Sequence, residues 1–191
     1  MRATKESAIK SPPRARIVVQ QLLYAARHGV RSAQCRLGYC YDAGMGVKRN
    51  RKMAVKWYRK AALRGYPIAQ SNLAMCYRDG RGIKQDTRRA VFWYRKAAQQ
   101  GDPEAQCDLG WCYAEGVGVR KSPTQAVYWF RKAVRRGNTK ALFNLGTAYS
   151  NGFGVTQNLS RARYYLSWAA RRGHTKARRV LGQFSKARSG A

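Results

Sequence analysis

The chain repeats a 36-residue pattern four times, in consecutive blocks that begin at Ala33, Ala69, Ala105 and Ala141. A period of this length is typical of units made of two helices that stack on one another in a row. Because one such unit cannot bury both of its apolar stripes by itself, neighbouring repeats must cover them. The periodicity therefore predicts an all-α protein, an α-solenoid of helix-turn-helix repeats.

The first half of each block, which we name the A segment, carries apolar residues at helical spacing. In the first block Leu37, Cys40 and Tyr41 follow Ala33 by four, seven and eight positions, which places all four on one helix face. A Gly-x-Gly loop comes next in every block, where positive φ would allow a tight turn. The glycine pairs are Gly44/Gly46, Gly80/Gly82, Gly116/Gly118 and Gly152/Gly154.

The second half of each block, the B segment, begins at a residue suited to cap a helix. This column contains Asn50, Asp86, Ser122 and Asn158, whose side chains can accept hydrogen bonds from free amide groups. An apolar stripe follows, with Trp57/Tyr58 in the first block as its aromatic pair. The glycines expected to end these helices are Gly65, Gly101, Gly137 and Gly173.

These signals predict about ten helices in a single domain over residues 17–184. It comprises an N-terminal capping helix at 17–29, repeats at 33–68, 69–104, 105–140 and 141–176, and a C-terminal capping helix at 177–184. Residues 1–16 are polar and basic and contain Pro12-Pro13, so we expect them to be disordered. Residues 185–191 are expected to form a flexible tail.

Stretches such as AQSNLAMCYRDGRGI and AVFWYRKAAQQGDPEAQ resemble the Sel-one-like (Sel1-like) repeat family, related to the tetratricopeptide repeat. The Leu-Gly, Tyr, Gly-x-Gly-Val, Ala, Trp-Tyr and Lys-Ala-Ala columns recur in order over nearly the whole predicted domain. The resemblance implies a right-handed superhelix whose A helices line a concave groove and whose B helices face outward. It also implies a role as scaffold or adaptor.

Charge is distributed unevenly between the two kinds of segment. The chain carries 39 Lys and Arg against 8 Asp and Glu, a net charge of +31. The A segments with their Gly-x-Gly loops (33–46, 69–82, 105–118 and 141–154) hold three basic and four acidic residues. The B segments, counted with the residues that lead into them (47–64, 83–100, 119–136 and 155–172), hold 23 basic residues and Asp86 as the one acid. We therefore expect a nearly neutral groove and a strongly cationic outer face.

The groove is the first candidate binding site, for a peptide or protein segment. Tyr39, Met75 and Trp111 occupy one column and would form an apolar ladder, while Asp42, Asp79 and Glu115 would favour basic ligands. The alternative is that these side chains pack between adjacent A helices. The predicted groove residues are Cys35, Tyr39, Asp42, Ser71, Met75, Asp79, Cys107, Trp111, Glu115 and Phe143.

The B face is the alternative site, for an anionic polymer or surface such as nucleic acid, anionic lipid or an acidic protein. Contacts there would be made to phosphates and would depend steeply on salt. The competing interpretation is a solvated charged face without a ligand. The predicted anion-binding residues are Arg51, Lys52, Arg59, Lys60, Arg88, Arg89, Arg95, Lys96, Arg131, Lys132, Arg135 and Arg136.

No constellation of catalytic residues is found, so we predict a non-enzymatic protein without cofactor or metal. His28 and His174 lie beside the glycines at helix ends, where they suit the negative end of the helix dipole better than acid–base chemistry. Cys35 and Cys40 lack a second pair at zinc spacing. The segment GVGVRKS lacks the spacing of a phosphate-binding loop.

Cysteine usage bears on the compartment. The chain has five cysteines, an odd number, and Cys40, Cys76 and Cys112 share one column expected to be buried. Free thiols favour a reducing compartment, so we predict a cytoplasmic location. The alternative is targeting to an organelle through the basic N-terminus. No apolar run is long enough to span a membrane, so we predict that the protein is not an integral membrane protein. We expect it to be a monomer.

Overall fold

The structure is a computed structural model that describes residues 13–189, with side chains described for residues 14–183. Within this part of the chain there are ten α-helices and no strand, which confirms the predicted all-α class. The helices are α1 Pro13–Arg27, α2 Arg31–Ala43, α3 Arg51–Leu63, α4 Pro67–Asp79, α5 Thr87–Gln99, α6 Pro103–Glu115, α7 Pro123–Arg135, α8 Thr139–Asn151, α9 Leu159–Arg171 and α10 Thr175–Ser189. The even-numbered helices are the predicted A helices, and the odd-numbered ones are the B helices.

The chain divides into two compact units, Met1–Gln85 and Asp86–Ala191, where the sequence predicted one domain over residues 17–184. The first unit contains α1–α4, and the second contains α5–α10. None of the helices over residues 13–189 combines the length and the apolar character needed to cross a bilayer.

The terminal helices are longer than predicted. Helix α1 begins at Pro13, within the segment expected to be disordered, because proline suits the first helical position, where no amide donor is needed. Helix α10 contains Gly182 and continues to Ser189 instead of ending at residue 184, since no glycine or proline follows residue 184 before Gly190. The remaining residues of the two predicted disordered ends, 1–12 and 190–191, lie outside the described part of the chain.

The predicted N-caps of the B helices are confirmed. The Asn50 side chain accepts a hydrogen bond from the amide of Met53 at 3.0 Å, and Asp86 accepts one from the amide of Arg89 at 2.9 Å. Ser122 and Asn158 cap α7 and α9 in the same way. Each cap supplies a partner to an amide that has none within its helix, so the sequence column alone determines where a B helix begins.

One leucine of each A helix lies at the centre of the packing. Leu37, Leu73, Leu109 and Leu145 are all 0% exposed. In the first unit Leu37 belongs to a core with Val19 of α1 and Trp57 of α3. Helix α2 is therefore covered on two sides, by α3 of its own repeat and by α1, the B helix that precedes it in the chain.

A buried glutamine connects the A helix to the end of the preceding B helix. Gln34 Nε2 donates to the carbonyl oxygen of Ala26 at 3.0 Å, and Gln106 Nε2 donates to that of Ala98 at 3.0 Å. Gln70 makes the equivalent bond at 3.1 Å. Each of these carbonyls lies in the last turn of its helix and also accepts a hydrogen bond from the amide of the glycine three residues later. The side chain thereby links consecutive repeats.

The second glycine of each Gly-x-Gly loop meets the preceding B helix at very short range. Gly118 has φ +70°, and a Cβ added there would collide with the carbonyl group of Thr87. Gly82 is held in the same way against Arg51, and Gly154 against Pro123. Two constraints therefore act on this column, because both the positive φ and the close approach exclude a larger residue.

Gly118→Ala should lower the free energy of unfolding by about 2 to 4 kcal/mol, since the strained φ and the backbone collision add. The matched control is Gly173→Ala. Gly173 has φ +87° with no atom within 4 Å of an added Cβ, so that variant should lose only about 1 kcal/mol. Urea denaturation followed by circular dichroism measures both. Equal losses would contradict the proposed close approach.

Candidate binding surfaces

The first unit presents only part of the predicted groove set at its surface. Tyr39 is 55% exposed and Met75 is half-buried. Cys35 and Ser71 are each 5% exposed, because they face the packing between helices, where Asn72 Nδ2 donates to Cys35 Sγ at 3.7 Å. These two residues lie beneath the surface, so they offer a ligand almost no contact area.

The acidic residues predicted to favour basic ligands are already paired in the first unit. Asp42 lies 3.3 Å from Arg81 and 3.9 Å from Arg51, measured between guanidinium nitrogen and carboxylate oxygen. Asp79 lies 2.7 Å from Arg78 and 3.6 Å from Arg81. Arginines of the same unit therefore neutralise both carboxylates, and this removes the expected attraction for a basic ligand at these positions.

The second unit holds an apolar cavity of about 410 Å³ between α6, α7 and α8. Trp111, which is 38% exposed, and Phe143, both members of the predicted groove set, contribute two of its walls. Phe130 of α7 and Phe153 contribute two further aromatic walls, and the sequence analysis did not include Phe153 in the groove. Phe153 sits between the two loop glycines, at a position that the other blocks fill with Met45, Arg81 and Val117, so no column identified it.

Glu115 lies at this cavity and differs from the aspartates of the first unit. It is exposed, and no lysine or arginine of the described residues forms an ion pair with it. Cys107, by contrast, is 3% exposed and accepts a hydrogen bond from Asn144 Nδ2 at 3.7 Å, so it lies beneath the surface like Cys35. The cavity thus combines four aromatic walls with one unpaired carboxylate.

The predicted anion-binding residues lie on the B helices, except for Arg136, which directly follows α7. Their side chains are exposed, except for the half-buried Lys132. Three of the lysines rest over aromatic rings of their own helix. The ammonium-to-centroid distances are 4.8 Å for Lys60 and Trp57, 4.9 Å for Lys96 and Phe92, and 4.8 Å for Lys132 and Tyr128. Such contacts partly offset the repulsion along this face.

Three of the arginines connect a B helix to the A helix that follows it. Each donates from its guanidinium to a tyrosine hydroxyl 18 residues later in the chain. The pairs are Arg59 to Tyr77 at 3.2 Å, Arg95 to Tyr113 at 3.1 Å and Arg131 to Tyr149 at 2.9 Å. Part of the basic face therefore also holds neighbouring helices together.

The described side chains offer little acid–base or metal chemistry. Over residues 14–183 no group of three or more His, Cys, Asp or Glu side chains is placed to hold a metal ion. His174 stacks on Phe143 with ring centroids 4.6 Å apart. Burial lowers the pKa of His174 and the charge of Lys176 lowers it further, so this histidine is neutral at physiological pH.

All five cysteines are free and buried. This confirms the predicted burial of Cys40, Cys76 and Cys112. Burial raises the pKa of the Cys76 thiol to about 11 and that of Cys107 to about 12. Both groups are consequently protonated at neutral pH, and neither is a nucleophile in the folded chain.

In the folded protein at pH 8, iodoacetamide should modify Cys107 at least about a hundredfold more slowly than a free cysteine, because a raised pKa leaves little thiolate. All five thiols should react after denaturation. Ser32→Cys, at an exposed position, supplies a fast-reacting control in the same chain. Mass spectrometry of peptides over time reports each rate, and comparable rates for Cys107 and the introduced cysteine would contradict its burial.

Three solved structures show what the fold resembles. A protective antigen present in uropathogenic Escherichia coli strains, which displays an SLR fold, has a TM-score of 0.82 and 39% sequence identity. That match covers 86% of this chain and 35% of that one, so the present chain spans about a third of its length. A Sel1 repeat protein from Oxalobacter formigenes has a TM-score of 0.75 and 34% identity, covering 85% and 70% of the two chains. Helicobacter pylori cysteine-rich protein B has a TM-score of 0.53 and 28% identity, covering 65% and 94%.

The repeat itself is matched by a family model. The model of the Sel1 repeat matches residues 31–66, 67–102, 103–138 and 139–174. No curated protein matches the chain. Sel1 repeat proteins are generally protein–protein interaction scaffolds. Because the four matches together cover well over half of the sequence, the chain belongs to the Sel1 repeat family.

Proposed function

We propose that this protein is a non-enzymatic scaffold that captures a peptide segment of a partner protein in the cavity of its second unit. The single observation that carries the proposal is the cavity of about 410 Å³ with aromatic walls from Trp111, Phe143 and Phe153. Exposed aromatic side chains around a concavity are the usual anchors of protein interfaces. The scaffold role typical of Sel1 repeat proteins supports the same conclusion.

The polar groups of the cavity suit an extended peptide. Asn144, Thr147 and Asn151 line it beside the aromatic rings. Asn144 and Thr147 each donate one hydrogen bond within the protein, to Cys107 Sγ and to the carbonyl oxygen of Phe143, but their oxygens can still accept from peptide amides. The volume admits one or two apolar side chains. In the first unit Tyr39 and Met75 offer a smaller apolar surface of the same kind.

Glu115 gives this cavity its charge preference. Since no described basic side chain pairs with it, a lysine or arginine of the ligand can do so. We therefore propose that the preferred peptide carries an apolar side chain close to a basic one.

Trp111→Ala should weaken the binding of peptides selected on the wild-type chain from a random display library by about 30-fold or more, as expected for an anchor residue. The control is Tyr128→Ala, which removes an aromatic side chain that is 46% exposed on α7. Fluorescence polarisation with labelled peptide measures both. If both variants bind as the wild type does, the peptide lies elsewhere.

Glu115→Gln should lower affinity about five- to tenfold for selected peptides with a basic residue, and leave neutral analogues of the same peptides unchanged. The difference between the two peptide series isolates the charge. Equal losses for both series would assign Glu115 a role in shape and not in charge recognition.

The basic B face supports a second proposed function, the docking of an anionic polymer or surface. The favouring observation is that few carboxylates lie among its exposed lysines and arginines. Asp86 is the one acidic residue of the B segments, and its carboxylate lies 3.2 Å from Arg89 Nε. Contacts of this kind release counterions, so they weaken as salt rises. The five free thiols support a reducing compartment such as the cytoplasm for either function.

Lys52→Glu combined with Arg88→Glu should weaken binding to short single-stranded DNA at low salt and reduce the slope of log affinity against log salt by about 1 to 2. Both side chains are exposed and distant from the aromatic cavity in sequence. Peptide binding should stay unchanged in this variant. An affinity for DNA that does not depend on ionic strength would overturn the second function.

A further inference from the structure

A second cavity of the second unit, about 550 Å³ between α7, α8 and α9, has a different chemistry. Three arginines converge on it, Arg131 and Arg135 from α7 and Arg161 from α9. The rings of Tyr164 and Tyr165 complete its wall. It shares no lining residue with the aromatic cavity described above.

Two of the arginines meet at one hydroxyl group. Arg131 Nη2 donates to Tyr149 Oη at 2.9 Å, and Arg161 Nη1 donates to the same oxygen at 3.3 Å. Tyr149 is only 4% exposed, and the centroid of its ring lies 5.5 Å from the guanidinium carbon of Arg161. Since the hydroxyl oxygen accepts two hydrogen bonds, its own proton remains available to a further acceptor.

No carboxylate balances this charge. Among residues 14–183, none of the three arginines forms an ion pair. Burial raises the pKa of Tyr149, but the hydrogen bonds and charges of Arg131 and Arg161 outweigh it and leave the pKa below its usual value. The cavity is therefore a concentrated positive field that an anion would stabilise.

The preceding block shows that the repeat fold does not require this cluster. One period earlier, the positions of Arg131, Arg135 and Arg161 are occupied by Arg95, Gln99 and Gln125. Arg95 keeps the hydrogen bond to its tyrosine, Tyr113. The bond between the first arginine and tyrosine is therefore part of the repeat, whereas the other two arginines are additions.

We propose that this cavity binds a phosphate monoester, held by Arg131, Arg135 and Arg161 with Tyr149 donating its hydroxyl proton. A doubly charged phosphoryl group matches three guanidinium groups better than a carboxylate or a phosphodiester, each of which carries one charge. The concave shape also suits a terminal group more than a continuous backbone. The site differs from the general docking of polymers on the B face because it requires these residues together.

The first test removes the two additional arginines. Arg135→Gln with Arg161→Gln reproduces the residues of the preceding block, so the fold has a tolerated precedent for both. Isothermal titration calorimetry at constant ionic strength should show at least about a tenfold loss of affinity for a phosphoserine peptide and for adenosine 5′-monophosphate. Arg120→Gln with Lys121→Gln removes the same charge from an exposed loop and should change affinity less than about twofold.

The probes distinguish the sources of the phosphate. Tighter binding of the phosphoserine peptide than of adenosine 5′-monophosphate supports a modified protein as ligand, and the reverse order supports a small metabolite. The unphosphorylated peptide should not bind. Affinity for either monoester should fall as pH decreases from 7 to 5, because the phosphate, with a second pKa near ~6, loses one of its two charges while arginine keeps its own.

The second test builds the same site one repeat earlier, so its result is a gain of phosphate binding instead of a loss of affinity. Gln99→Arg with Gln125→Arg should raise the number of phosphate monoesters bound from one to two. The proposal is overturned if the Arg135/Arg161 variant binds the monoesters as tightly as the Arg120/Lys121 variant does. It is also overturned if neither monoester binds the wild-type protein while an oligonucleotide without a terminal phosphate does. A stoichiometry that does not increase would likewise contradict the assignment of these columns.

Discussion

Burial of Leu37 in the first unit and of Leu145 in the second requires the B helices on both sides of the A helix, and the packing within each unit depends on this requirement. In the second unit Leu145 of α8 shares its core with Val127 and Phe130 of α7 and with Ala162 of α9. Full burial of such a side chain contributes about 2 kcal/mol, which is lost if either neighbouring helix moves away. The glycine loops, the glutamine bonds and the caps all bring backbone close enough for this burial. The repeat is thus a unit of sequence, while the interface between repeats is the unit of stability.

Features that depend on a single column could be predicted from the sequence. The caps at Asn50 and Ser122 follow from local hydrogen bonding, and Gly118 follows from its backbone conformation. The terminal helices were predicted too short for two reasons. Pro13 was interpreted as a sign of disorder although proline suits the first helical position, and polar composition alone does not mark the end of α10. The pairing of Asp42 with Arg81 was missed for another reason. Counting charges per segment treats a segment as isolated, whereas a long arginine reaches the neighbouring repeat 39 residues away.

The candidate sites were predicted in part, for a related physical reason. Trp111 was identified because it belongs to an apolar column, but Phe153 replaces a residue type that varies between blocks. Arg131 and Arg135 were predicted as part of the basic face, but their convergence with Arg161 was not identified, because it joins positions on successive B helices that no single column contains. The structure also divides the basic face into lysines over aromatic rings, arginines bonded to tyrosines and arginines without an acidic partner. A uniform count of positive charge conceals these different roles.

The side-chain links between consecutive repeats have a consequence for how the chain folds. They join residues between 8 and 39 positions apart, as in the bond of Gln34 to Ala26 and that of Arg81 to Asp42. Closing loops of this size costs little entropy, and low contact order is associated with rapid folding. Folding can begin within either unit and spread one repeat at a time, without waiting for distant segments to meet. Ribosomal synthesis would therefore release each completed repeat into a chain that already contains its packing partner.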